Sequence, residues 1–229
     1  MKALFTSLLT SIMLMSGGPS KTIRAPVTRY HGYELNRASI ARAKRFTVLI
    51  SWEGFGHIER GTGVLLDPTH VLTCDHVARG DNEEMKVYSF PGDEVYTGRM
   101  VFDSQAYDLA IVELDRAVIL PNYAIVTEGH YDGEPITIIG NILGSMKWFV
   151  SYGIVSGENM RDLYTDGLVL GGDSGGPWIN EQGEIVALSD WALGNEGHAL
   201  GINGGISGRT INRFLESWKK PSLLQLLFQ

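Results

Sequence analysis

The sequence predicts an all-β fold, two sets of about six strands each followed by a single C-terminal helix. Three observations carry that expectation. Short apolar or alternating runs recur from Phe46 onward with Gly, Asp, Asn or Pro between them. The 28 glycines are scattered rather than periodic, which suits many short strands joined by tight turns. A spacing of three and four residues that would place apolar side chains on one helical face is convincing only near the C-terminus. With 229 residues, 44% of them hydrophobic and 10% aromatic, the chain has the apolar side chains to build a packed core.

The elements follow in order. Residues 1–20 run from Lys2 through an apolar stretch to the small and polar run Ser16-Gly17-Gly18-Pro19-Ser20, the order of a secretory signal, so export is expected. That apolar stretch is shorter than the roughly 20 residues a membrane span needs, and no stable span is expected. Residues 21–45 form a lead-in, with Arg42-Ala43-Lys44-Arg45 read as a solvated approach to the first strand. The first strand set, residues 46–120, shows runs at 46–52, 63–66, 71–73, 85–90 and 108–114. A linker is expected near 116–134. The second set, residues 121–207, shows runs at 135–139, 148–155, 177–180, 185–188 and 198–202. In the helix expected at 208–219, Ile211, Phe214, Leu215 and Trp218 share one face, which would pack across the second set. Lys219-Lys220-Pro221 stops that helix, and residues 220–229 form a leucine-rich tail.

Charge and cysteine usage narrow the function classes. The formal net charge of −7 argues against nucleic acid as a partner, since binding a polyanion draws on clustered Lys and Arg. Cys74 is the sole cysteine, so no intrachain disulfide forms and the core alone must hold the fold. His76 with Cys74 and Asp75 has no recognised ligand spacing, and one cysteine supplies no thiolate cluster. Neither a metal nor another cofactor is expected.

Three segments carry chemistry. In Gly171-Gly172-Asp173-Ser174-Gly175-Gly176-Pro177, glycines flank a serine. A serine hydroxyl is a weak nucleophile that needs a base within reach and an open approach. The flanking glycines permit unusual backbone angles, so the amides of Gly172 and Ser174 are free to point at one spot and hold a developing oxyanion. In the second segment, Gly61-Thr62-Gly63 opens one strand and His70-Val71-Leu72-Thr73-Cys74-Asp75-His76 delivers His76 at the end of the next. An imidazole there is suited to take a proton from the serine and return it to a leaving amine. The third, Tyr107-Asp108-Leu109-Ala110-Ile111-Val112, sets a carboxylate immediately before a buried apolar strand, where it would fix the imidazole tautomer. Asp103 and Asp115 compete for that role but lie at turns or at the strand's far end.

The order His76, Asp108, Ser174 resembles that of the trypsin-like peptidases, and the disulfide-free HtrA-type proteases in particular, over residues 46–218. Gly201-Ile202-Asn203-Gly204-Gly205-Ile206 before the final helix is similar to the end of an HtrA protease domain. The resemblance implies two six-stranded antiparallel β-barrels of the chymotrypsin-like kind with the active cleft between them. It implies a serine endopeptidase acting on proteins or peptides, with His76 as base, Asp108 as orienting acid, Ser174 as nucleophile, and the Gly172 and Ser174 amides as the oxyanion hole. No PDZ domain is expected after the helix and no zymogen step. Leu168, six residues before the nucleophile, matches the floor of the primary pocket, and an apolar floor would disfavour Lys and Arg. Asp190 falls beside the strand that lines that pocket, where the family often has serine. Leu168 leads to an expected preference for small or medium apolar P1 residues, to which Asp190 is a complication. The alternative from another class is a protease-like binding or regulatory protein with a resting or inactive site.

Overall fold

The computed structural model describes residues 37–54, 57–79, 84–92, 94–142, 144–195 and 198–220. The expected export signal, the lead-in before residue 37 and the tail from residue 221 lie outside the described residues. Where a solvated approach was expected, the chain forms helix α1 (Arg37–Phe46). Ser39, Ala43 and Phe46 are buried at spacings of four and three, so one helical face seats in the core while Arg45 stays in solvent. The cationic run 42–45 hid this pattern, because Ala43 is its one member on the buried face.

Among the described residues twelve strands follow, in two closed antiparallel barrels. The first contains β1 (Thr47–Gly54), β2 (His57–Leu65), β3 (His70–Thr73), β4 (Met85–Tyr88), β5 (Val95–Ser104) and β6 (Leu109–Leu114), and closes in the order β1-β2-β3-β6-β5-β4. A helical turn, α2 (Asp75–Ala78), follows β3 directly. The second contains β7 (Pro135–Ile142), β8 (Met146–Glu158), β9 (Asp162–Thr165), β10 (Pro177–Ile179), β11 (Ile185–Asn195) and β12 (His198–Ser207), closing as β10-β11-β12-β9-β8-β7. This is the all-β, two-barrel fold that the sequence pattern and resemblance implied. Two strands gave no clear signal. Gly98-Arg99 and a register shift between Met100 and Phe102 interrupt the alternation of β5, and β9 is only four residues long.

The larger apolar core does not stop at the barrel wall. It runs from Phe46, Ile50, Leu72 and Ile111 of the first half to Ile139, Ile179, Leu188 and Ile206 of the second. Each such side chain, fully buried, contributes about 1.5–3 kcal/mol. Helix α3 (Gly208–Lys219) adds Ile211 and Phe214 to this core, capped by Ser207, whose hydroxyl accepts from Thr210 N. It packs on more than the second barrel: Phe214 lies 5.3 Å from Phe102, and Trp218 meets the edge of His70 at 5.0 Å, both first-barrel residues. Among the described residues no helix is long and apolar enough to cross a membrane.

A buried polar knot fixes the barrels against each other. Asn141 of β7, fully buried, donates through Nδ2 to Val48 O at 3.3 Å and to Thr62 Oγ1 at 3.1 Å, both in the first barrel. Its Oδ1 accepts from Trp148 N at 3.0 Å, and Trp148 Nε1 in turn donates to Thr47 O at 2.7 Å. Each buried polar group thereby finds a partner, as removal from water requires.

Candidate active site

His76 and Asp108 are brought together by the pairing of β3 with β6, in which Thr73 faces Ala110. After Thr73 the chain stays extended through Cys74 and then turns into α2, which presents His76. Asp108 sits just before β6 in a left-handed conformation, φ 53°. That conformation costs an L-residue about 1–2 kcal/mol, and neighbouring bonds hold it. Asp108 N donates to Gln105 O at 3.3 Å, and Asp108 O accepts from Asp75 N at 3.0 Å.

The Asp108 carboxylate grips His76 twice. Oδ1 accepts from His76 N at 3.0 Å, and Oδ2 lies 2.6 Å from His76 Nδ1. A carboxylate is an acceptor, so Nδ1 carries the proton and Nε2 is left with its lone pair. The hydrogen bond to Asp108 raises the imidazole pKa above its ordinary 6.5, against the opposing effect of burial. Burial would raise the Asp108 carboxyl, but the bond to His76 and the imidazolium charge outweigh it and hold the pKa below its ordinary value. The competing Asp115 is occupied elsewhere, accepting from Thr97 N at 3.1 Å.

Thr62 of β2 clamps the serine loop from the first barrel. Its Oγ1 donates to Gly172 O at 2.7 Å and its N–H donates to Ser174 O at 2.9 Å. Gly172 and Gly175 adopt φ of 96° and 82°. A Cβ on Gly175 would fall 2.1 Å from Thr62 O, so this turn is closed to any larger residue. Among the described residues neither the Gly172 nor the Ser174 amide has a hydrogen-bond acceptor. The Ser174 hydroxyl is turned toward Asp190 O at 3.5 Å, and among the described residues no hydrogen bond joins it to His76. Asp173, 2% exposed, accepts from Leu170 N at 2.9 Å, and burial pushes its carboxyl up to about 6.

Leu168 is partly exposed, and its carbonyl accepts from Ser151 Oγ at 2.8 Å. The Asp190 carbonyl faces Ser174, while its carboxylate is buried against Arg161, with Nη2 and Oδ2 2.7 Å apart. Donor atoms of Cys74, His76, Asp108 and Asp190 all lie within 4.8 Å of one another. Cys74 donates to Ser189 O at 3.3 Å, and burial raises its thiol pKa well above the ordinary value. Three residues of this region had no role in the sequence reading: Thr62, Asn141 and Arg161. Thr62 had a trace there, standing between two glycines, whereas Asn141 and Arg161 had none.

A model of the trypsin-like peptidase domain matches residues 61–188. The serine protease Do-like HtrB of Bacillus subtilis is 28% identical over 146 residues, covering 57% of this chain and 31% of that protein. A probable periplasmic serine endoprotease, DegP-like, of Chlamydia pneumoniae is 26% identical over 168 residues, 69% of this chain and 34% of that one. The peroxisomal leader peptide-processing protease of Mus musculus is 35% identical over 144 residues, 56% and 25% of the two chains. The chain thus spans a third or less of the length of two of these relatives and just over a third of the DegP-like protein. The structure of a serine endoprotease from Yersinia pestis superposes with a TM-score of 0.70 at 24% identity, covering 80% of this chain and 65% of that one, a likeness of fold.

Proposed function

Because the chain belongs to the trypsin-like peptidase family, we propose that it is a serine endopeptidase of the HtrA type, with protein or peptide substrates and Ser174, His76 and Asp108 as its reacting and orienting groups. The observation that carries this reading is the double grip of Asp108 on His76, with the Nδ1 to Oδ2 distance at 2.6 Å. It leaves Nε2 as the basic atom.

In this reading Ser174 Oγ attacks the scissile carbonyl carbon and its proton passes to His76 Nε2. Asp108 stabilises the imidazolium without taking the proton. The carbonyl oxygen becomes an oxyanion beside the amides of Gly172 and Ser174, where fixed donors favour the charge that develops. The proton then goes to the leaving amine as the carbon–nitrogen bond breaks. The acyl group stays on Ser174 until water, deprotonated by His76, releases it. Leu168 would set an apolar primary pocket that prefers small or medium P1 side chains, and export follows from the character of residues 1–20.

A second reading, a protease-like binding protein with a resting site, is favoured by one observation: the Ser174 hydroxyl points at a carbonyl instead of at His76. A fluorophosphonate probe decides between them. Labelling of the native protein and its loss in Ser174→Ala support the endopeptidase. Equal labelling of both overturns the choice of nucleophile, and labelling of neither overturns the active-enzyme reading. A peptide-library profile that prefers Lys or Arg would overturn the role given to Leu168.

A further inference from the structure

Behind the His76–Asp108 pair stands a second tier of charge that the proposed reaction does not use. The Asp190 side chain, 8% exposed, pairs through Oδ2 with Arg161 Nη2 at 2.7 Å. An Asp190 carboxylate oxygen lies within 4.8 Å of one from Asp108. The same Arg161 Nη2 also donates to Tyr107 O at 3.3 Å, the carbonyl immediately before left-handed Asp108. Arg161 itself is fixed through its main chain, where its carbonyl accepts from Ser207 N at 2.9 Å and Thr210 Oγ1 at 3.0 Å. A guanidinium rooted in the second barrel thus holds the peptide that aims the first barrel's carboxylate.

We propose that Asp190 and Arg161 are positioning residues for the His76–Asp108 pair, Arg161 by fixing the Tyr107–Asp108 peptide across the barrel interface and Asp190 by placing a second carboxylate behind Asp108. The proposal rests on the endopeptidase reading for its catalytic meaning, and on geometry alone for the network. Five groups face Asp190: Cys74 and His76 from the β3–α2 segment, Asp108 from the turn before β6, and Arg161 and Asp162 at the start of β9. Two adjacent carboxylates resist ionising together, and Arg161 supplies a single compensating charge. Burial and the contact with Asp108 accordingly push the Asp190 carboxyl up to about 6, against the pull of Arg161. Once ionised, it adds to the field that favours the imidazolium form of His76.

The network is tested by NMR titration of His76 and of the Asp190 carboxyl carbon in the full chain, with assignments from His76→Gln and Asp190→Asn. Asp190→Asn keeps the shape and removes the charge. The His76 midpoint should fall by about half a pH unit, so that on the acid side fluorophosphonate labelling runs up to about threefold faster than in the native protein relative to its own plateau. Arg161→Gln should move the Asp190 midpoint upward, and Arg161→Lys, which keeps the charge, should restore it. A His76 midpoint unchanged in Asp190→Asn, or an Asp190 midpoint indifferent to Arg161→Gln, overturns the proposal. A purely structural role would lower stability or labelling without moving either midpoint. A native protein that shows both shifts but takes no fluorophosphonate upholds the network and overturns the endopeptidase reading.

Discussion

Replacing Thr62 by valine removes one oxygen and almost nothing else, because the two side chains share a branched shape. That oxygen donates to Gly172 O at 2.7 Å and accepts from Asn141 N and Asn141 Nδ2, each at 3.1 Å. Thr62 and Asn141 are both fully buried, so no water replaces it. Asn141 Nδ2 keeps Val48 O, but the Asn141 N–H is orphaned. A lost internal hydrogen bond costs about 1 kcal/mol and a buried unsatisfied donor a further 1–3 kcal/mol, so Thr62→Val should be less stable by about 2–4 kcal/mol. Urea unfolding measures this as a lower midpoint at unchanged slope. Thr62→Ser keeps the hydroxyl and should fall between native and valine. Since the lost donor also holds the Gly172 peptide, the fluorophosphonate labelling rate should drop along with stability. A valine variant within about 0.5 kcal/mol of native that labels at the native rate would refute the clamp, being inside the range of an ordinary neutral substitution.

Asp108→Asn should leave the fold intact but lower kcat/KM by roughly 10³–10⁴, since an amide does not hold the imidazole in the required tautomer; the native kcat/KM profile should have its acid limb above 6.5 because Asp108 raises the His76 pKa. Asp173 carries the opposite linkage to a salt-bridged acid. Its folded carboxyl keeps a proton to about pH 6 while the unfolded one releases it near 3.8, so native stability should fall as pH rises through that window and level off above it. Thermal melts should show Asp173→Asn free of that fall, a difference of about 2–3 kcal/mol by neutral pH. Gly175→Ala forces a Cβ against Thr62 O at a φ of 82°. It should cost about 2–4 kcal/mol in urea unfolding, from left-handed strain plus overpacking.

Features written into consecutive residues were readable before the fold was known. The apolar run after Asp108, the apolar run before His76 and the glycines around Ser174 are each local, and a strand or turn is present at each, although β3 ends at Thr73 and His76 lies in α2 instead of at the strand's end. The helix α1 was not readable, since its buried face comprises Ser39, Ala43 and Phe46 among cationic neighbours. The supports of the site were invisible for a different reason. Thr62 meets Gly172 across 110 residues, Asn141 meets Thr62 across 79, and Arg161 meets Asp190 across 29. No local periodicity records such pairings, because the first two exist only once the two barrels have come together and the third only once the second barrel has closed. Asp190 shows the limit most clearly. Its place just after the apolar run 185–188 was readable, but the pairing of its carboxylate with Arg161 depends on an arginine from another element.

Helix α1 precedes the first barrel in sequence yet is fastened to the second. Ser39 Oγ donates to Glu181 O across 142 residues at 3.0 Å, and Arg42 donates to the adjacent Gln182 O. During synthesis the turn that receives these bonds is made long after α1 has left the ribosome. An early piece of the nascent chain therefore waits for a late one, a high-contact-order closure of the sort that slows folding and leaves the waiting segment open to chaperones.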